Sequence, residues 1–468
     1  MVAANYAAIG VSFLTSVVLT RVIGAGEYGH LALLLTGSQV LSFFVSVWTL
    51  TAIVQFGSRE FAEHGSLART FWSRTILTLP WLTAAAVVLA VFAGPLGALL
   101  SIPPWGVALV FAHFVLATAV ATASSLLQAM QRMPRYALGL VLDRALALAA
   151  ILVLARLGEL DAVRVLACLV LSSALVAAFL FASIGRRTLM PIRVDPARVT
   201  AVWRFSLPLI ATSWVGLFGS QWLDYLVIRT YLPLSELGLY ALAYQLAGVL
   251  QQMTSVVATL LLPRYSLLTF GGNDEEVRRI VGRVVPYWLI GYALALCAAL
   301  VVVPPAIGLL FGQGFAGAVP AFRLLVVASM ALALHNAFTP VLTAHERLWR
   351  LSFVVLASVV VNVGLDLVFV PAYGIAGAAA ATLLSYGTSA VAVLVVTERT
   401  LSLPALRHAS VALPVIAAYL CSVLFTGPLA LGVGAALVVV SLVVVGRLLD
   451  LHPRADLPPL LRRVRAGS

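Results

Sequence analysis

The chain has 468 residues, of which 62% are hydrophobic and only 10% charged, with a formal net charge of +12. Soluble domains are about 45–50% apolar and about 25% charged, so a water-soluble globular protein is excluded and an all-α integral membrane protein is expected. Nucleic acid is not the partner implied by the charge, because the 29 basic residues are all arginines spread along the whole chain and not clustered on one domain among aromatics.

Apolar run length predicts spans near 4–23, 30–54, 76–99, 105–129, 137–155, 163–184, 205–228, 238–262, 284–311, 318–342, 351–370, 375–397, 409–426 and 428–446. A bilayer crossing takes about 20 apolar residues, so about fourteen transmembrane helices leave short loops and no sizeable soluble domain. The first stretch lacks a basic n-region and a small-residue cleavage pattern, and reads as a retained span. Of the arginines, 23 fall in every second gap, five (Arg21, Arg156, Arg164, Arg229 and Arg323) fall in the others or at the span ends that border them, and Arg144 lies well inside a span. Cytoplasmic loops collect basic residues, which predicts cytoplasmic N- and C-termini for a multi-pass protein of the inner or plasma membrane. Gaps 55–75 and 263–283 mix arginine, glutamate and apolar residues, as in Arg59-Glu60-Phe61, and read as interfacial amphipathic turns. Arg156 and Arg164 share a gap with Glu159 and Asp161, which reads as a solvated face.

The gap at 185–204 holds Pro191, Pro196 and five arginines near the middle of the chain. The expected organisation is a first lobe of six spans at 1–184, this cytoplasmic linker at 185–204, a second six-span lobe at 205–397, and two further spans with a basic tail at 398–468. The lobes echo one another. Glu27-Tyr28-Gly29-His30-Leu31-Ala32-Leu33 and Glu236-Leu237-Gly238-Leu239-Tyr240-Ala241-Leu242 share Glu-x-Gly-x-x-Ala-Leu at an offset of 209. Arg59 and Arg264 follow at 205, and Pro80 and Pro286 at 206. Parallel repeats about an axis normal to the membrane are a transporter design, with substrate bound between halves. Gly24-Ala25-Gly26-Glu27-Tyr28-Gly29 also fits G-x-G-x-x-G, but a dinucleotide site needs a strand before it and an acid about 20 residues on. Here a span precedes and Thr49 stands downstream, so the segment reads as a tight extracellular turn.

Arg21-Val22-Ile23-Gly24-Ala25-Gly26-Glu27-Tyr28-Gly29 resembles the first interhelical turn of bacterial polysaccharide lipid flippases of the O-antigen type. Asp224-Tyr225-Leu226-Val227-Ile228, Pro263-Arg264-Tyr265-Ser266 and Tyr373-Gly374-Ile375-Ala376-Gly377 are similar to later segments of that family, in the same order. The resemblance implies the multidrug/oligosaccharidyl-lipid/polysaccharide exporter superfamily: two six-helix lobes in a V, with two extra C-terminal helices in some members. It also implies a substrate, a polyprenyl-diphosphate-linked glycan moved across the bilayer for surface polysaccharide synthesis. A polysaccharide polymerase and glycosyltransferases would be its working partners.

An anionic diphosphate must be sheltered by basic groups, and arginine's planar fork suits phosphate oxygens. Arg21 and Arg229, at repeat-equivalent span ends, are the favoured substrate-binding pair, with Arg59 and Arg264 at the cytoplasmic mouth and Arg323 as a further contact. Ionisable groups inside spans are costly and so point to function. Asp143 and Arg144 lie about 12 Å into span five at 1.5 Å per residue; as neighbours on a helix they are expected to take different partners. Asp224 and Asp366 complete a charge network that could pair with Arg229 or Arg323, or bind a coupling Na+ or H+. His113 and His335 read as interhelical donors, and Pro208, Pro286 and Pro340 as bending points. Cys168, Cys297 and Cys421 read as buried small hydrophobes, and no cofactor or metal site is predicted. A multidrug exporter would favour acidic and aromatic lining over arginine, and a lipid II flippase remains an alternative within the superfamily. A membrane glycan ligase or polymerase would carry catalytic groups on a large external loop, and every external gap here is short.

Overall fold

The computed structural model describes residues 2–158, 160–218, 221–425 and 428–451. Among them every regular element is a helix: α1 (Val2–Val45), α2 (Val47–His64), α3 (Ala68–Val91), α4 (Ala93–Leu100), α5 (Gly106–Ala129), α6 (Met133–Arg156), α7 (Ala162–Ile184), α8 (Arg186–Leu189), α9 (Pro196–Phe218), α10 (Gln221–Tyr231), α11 (Leu234–Phe270), α12 (Asp274–Arg279), α13 (Val285–Phe311), α14 (Val319–Ala344), α15 (Leu348–Leu401), α16 (Leu413–Leu424) and α17 (Pro428–Leu448). Short π or 3-10 turns lie at Ile280–Val284, Gln313–Ala318 and Ala405–Ala412. Ten helical stretches of the described residues are long and apolar enough to cross a bilayer, and the chain is a multi-pass membrane protein. Glu159, residues 219 and 220 of span seven, and the basic tail beyond Leu451 lie outside the described residues.

Two of these stretches hide a chain reversal. Gly24 in α1 has φ 71° and ψ 178°, and Gly374 in α15 has φ 61° and ψ −144°. Both lie in the left-handed half of the backbone map that only glycine enters freely. Past Gly374 the arms lie side by side: Ser358 and Ser385 bring their hydroxyls to 2.8 Å, and each donates to the other's backbone carbonyl, at 3.1 and 2.8 Å. In hydrocarbon such side-chain bonds hold helix against helix. The predicted turn at 24–29 therefore shrinks to one residue, since the helix resumes at Ala25, and no strand precedes it.

The amphipathic turns predicted at 55–75 and 263–283 are largely continued helix. α2 runs on to His64, Gly65 closes it at φ 62°, and α3 begins at Ala68. Glu60 makes this tight connection possible. Buried on α2, it accepts the free amides of Arg69 and Thr70 with its two oxygens, each at 2.8 Å, so it caps a helix that has no side-chain cap of its own. α11 likewise runs on to Phe270, and Asn273 caps α12 through the Glu276 amide at 3.2 Å.

The chain packs as two compact units. The first holds Met1–Arg229 and Pro233–Gly238, the second Thr230–Leu232 and Leu239–Ser468. Residues 185–229, divided by sequence between linker and second lobe, thus pack with the first unit. Its core includes Ile53, Leu67, Leu126, Leu127, Leu180 and Ile184, contributed by α2, the α2–α3 turn, α5 and α7. Within this unit the two copies of Glu-x-Gly meet. A Cβ on Gly29 would overlap the Leu234 carbonyl, and one on Gly238 would overlap the Ala25 carbonyl. Ala25 and Leu234, like Gly29 and Gly238, are 209 residues apart, so the contact is reciprocal, as a two-fold relation between repeats demands. In the second unit α14 is the central helix, with Phe322, Leu325, Val326, Ala328, Met330, Ala333 and Phe338 buried.

Candidate functional site

Arg21 and Arg229, the favoured pair, both fall in the first unit. Arg21, exposed, lies three residues before the reversal at Gly24. Arg229 lies in the last turn of α10, half-buried; it donates to Ser101 Oγ at 2.8 Å, while its Nε is buried with no hydrogen-bond partner among the described residues. Ser101 itself sits in a left-handed turn after α4 (φ 58°). Arg229 is therefore tied to that turn through one nitrogen and keeps donor capacity in the others.

The same turn is fastened a second time. The Leu100 carbonyl is 2.9 Å from His30 Nε2, whose Nδ1 lies 3.8 Å from Glu27, and Glu27 accepts the Ala162 amide at the start of α7 at 2.8 Å. Asp161 caps α7 as well, accepting the Arg164 amide at 2.8 Å, and pairs with the Arg164 side chain at 3.8 Å. The glutamate of the first repeat motif is thus a structural cap, and Arg164 occupies the half-exposed face expected of it.

Arg59 on α2 and Arg264 on α11 are exposed. Neither makes an ion pair among the described residues, which leaves both guanidinium groups able to meet an external anion. Arg323 lies in the second turn of α14, and its Nε is buried without a hydrogen bond among the described residues. Asp143 and Arg144 depart from expectation: they contact each other, Arg144 Nε to Asp143 Oδ2 at 3.9 Å. Flexible side chains close what adjacent backbone directions do not. Ser172 on α7 adds a bond to the Asp143 carbonyl at 2.7 Å. Asp224 on α10 and Asp366 on α15 are buried, in the first and second unit respectively.

His113 and His335 make the interhelical bonds expected of them, to Ser38 and Ser389, each at 2.8 Å. Pro208 and Pro340 sit inside α9 and α14, and Pro286 directly follows the π turn Ile280–Val284, within the continuous helical stretch Asp274–Phe311. Cys168 and Cys421 are buried and Cys297 partly so, all as free thiols.

One residue was missed. Sequence reading begins span three at residue 76 and leaves Arg74 among cytoplasmic anchors. In the structure Arg74 lies inside α3 and is 6% exposed. The signal was present: Thr70, Ser73, Arg74 and Thr78 recur at helical spacing between Phe71, Trp72, Ile76 and Leu77, a polar row on one helix face.

The fold has solved counterparts. It is similar to the lipid II flippase MurJ in an inward closed conformation, with a TM-score of 0.73 at 12% identity over 96% of this chain and 99% of that one. It is also similar to an inward-facing multidrug resistance MATE family transporter of the MOP superfamily, with a TM-score of 0.62 at 14% identity over 84% and 94%. In sequence it is 23% identical over 191 residues, 41% of its length, to the probable low-salt glycan biosynthesis flippase Agl15 of Haloferax volcanii. It is 26% identical over 347 residues, 71% of its length, to the succinoglycan biosynthesis transport protein ExoT of Rhizobium meliloti. The chain spans 40% and 65% of those two relatives. Residues 1–268, more than half of the chain, match the family described as polysaccharide biosynthesis protein, and the chain belongs to that family.

Proposed function

We propose that the protein is a flippase that carries a polyprenyl-diphosphate-linked oligosaccharide from the cytoplasmic to the outer leaflet for surface polysaccharide synthesis. The carrying observation is the polysaccharide biosynthesis family match over residues 1–268 on a helical membrane fold. The glycan flippase and succinoglycan transport names of the relatives agree with it, as does the reciprocal packing of the two repeat motifs. In this reading there are about fourteen spans, both termini are cytoplasmic, and the residence is the inner or plasma membrane. The polyprenyl tail stays in lipid while two lobes open a sheltered path to each side in turn. Arg21, Arg229, Arg59, Arg264 and Arg323 bind the diphosphate; Asp143, Arg144, Asp224 and Asp366 form the charge network that responds to it or to a coupling cation. Glycosyltransferases build the substrate and a polymerase consumes it. Nothing in this cycle breaks or makes a covalent bond, so the protein acts as a transporter and not an enzyme.

The test is a deletion strain. Lipid-linked intermediates should accumulate on the cytoplasmic leaflet, and the wild-type gene should restore their passage. Unchanged leaflet distribution after deletion would overturn the proposal.

A further inference from the structure

We propose that Arg74 is a phosphate-binding residue inside the first unit, contacting the diphosphate of the substrate from the inward face of α3. This rests on the flippase reading. The residue lies within the apolar stretch Ala68–Val91, six residues or about 9 Å from its start at 1.5 Å per residue. It is 6% exposed, and one of its terminal nitrogens is buried with no hydrogen-bond partner among the described residues. Among the described residues Nε alone is engaged, donating to Thr49 Oγ1 at 2.9 Å. Thr49 in turn donates to the Ser46 carbonyl at 2.7 Å. Its proton is therefore committed, its lone pair faces Arg74, and the guanidinium is held in one orientation with its terminal edge free.

The missing counter-charge carries the inference. Glu60, the buried carboxylate of α2, spends both oxygens on the Arg69 and Thr70 amides, the other, Glu63, is exposed beside His64, and Arg74 has no ion-pair partner among the described residues. A buried cation without an anion is strongly destabilising, and a charged group inside a membrane segment is a functional candidate by default. An arriving phosphate removes that cost, because arginine meets two phosphate oxygens with a planar pair of N–H groups. The neighbourhood suits the exchange. Trp48, next to Thr49 and fully buried, packs edge-to-face on Trp81 at 6.4 Å and on Trp203 at 6.1 Å. Trp81 stands on the Arg74 face of α3, two turns on, and is 37% exposed, so an aromatic wall runs from Thr49 to the surface of the unit. Such a wall excludes water, and the lower dielectric strengthens the ion pair.

The full chain in lipid nanodiscs, titrated with undecaprenyl diphosphate and separately with inorganic pyrophosphate, provides the test. Arg74→Gln should weaken undecaprenyl diphosphate binding at least tenfold, with Arg74→Lys intermediate, Thr49→Val weaker by a smaller factor, and Arg164→Gln unchanged. Parallel loss of pyrophosphate binding assigns the contact to the phosphate alone; loss confined to the lipid assigns it to a headgroup presented by the bilayer. Both outcomes support the site. Binding by Arg74→Gln within twofold of wild type overturns it and leaves the flippase reading standing, whereas a wild-type chain that binds no undecaprenyl diphosphate removes both. Should the variants fail to fold, a wild-type structure with undecaprenyl diphosphate decides: phosphate oxygens within about 3.5 Å of Arg74 support the site, and a diphosphate held elsewhere overturns it.

Discussion

Two glutamates, Glu27 and Glu60, spend their charge on helix N-termini, where amides have no helical partner and the dipole favours an anion. Glu60 holds both amides at 2.8 Å while buried, so Glu60→Ala should lower stability by about 1–2 kcal/mol, the range of a lost cap, read as a lower thermal midpoint in detergent. Glu60→Gln, keeping one acceptor oxygen, should lose less. The Arg229 contact with Ser101 makes anchoring and substrate roles separable. Arg229→Ala should abolish glycan export at normal membrane abundance, while Ser101→Ala should export almost normally. Equal loss in both variants would make Arg229 an anchor. At this scale the sequence was legible in part. Counting gaps isolated Arg21 and Arg229, because exceptions to a topology rule are visible without a structure. Arg74 was not isolated, because apolar run length placed the start of span three eight residues after the true helix start at Ala68, and burial is decided by packing against α2 and α9. Glu60 was read as part of an amphipathic turn for the same reason: a cap is recognised only once the helix it serves has a known beginning.

The helices are joined by the least backbone that geometry allows. Gly24 and Gly374 each reverse a helix in one residue, and alanine at their φ of 71° and 61° with extended ψ would enter a region that is essentially glycine-only, at a cost of about 1–3 kcal/mol. Gly29 and Gly238 serve a different need, since each faces a backbone carbonyl. Gly29→Val and Gly238→Val should therefore reduce folded protein in the membrane to similar extents, measured by fluorescence-detected size exclusion. Gly26→Ala should be tolerated, because no atom lies within 4 Å of a Cβ there. The 209-residue offset of the Glu-x-Gly motif was readable from sequence alone. That its two copies lie against one another was not, since an offset states equivalence and says nothing of contact. Spans eleven and twelve were correctly separated by their apolar runs, whereas the single-residue reversal between them needed the torsion angles of Gly374.

At the scale of the whole molecule, composition alone identified the solvent, and the alternation of arginine predicts cytoplasmic termini. The division into lobes was less legible: residues 185–229 look like a charged linker followed by a span, yet they pack with the first unit, because contacts such as Trp203 on Trp48 and Phe205 on Phe56 outweigh position along the chain. An inside-negative potential favours outward movement of an anion by about 2.3 kcal/mol per charge per 100 mV. Outward flipping in proteoliposomes should therefore accelerate when such a potential is imposed, and a rate indifferent to voltage would mean that arginines move with the diphosphate and cancel its charge. The most direct test of the flippase account needs no potential. Purified protein in proteoliposomes containing a fluorescent undecaprenyl-diphosphate-linked glycan should expose inner-leaflet substrate to an external, membrane-impermeant glycosidase, far beyond the half accessible in protein-free vesicles. Accessibility that stays at one half would contradict the account.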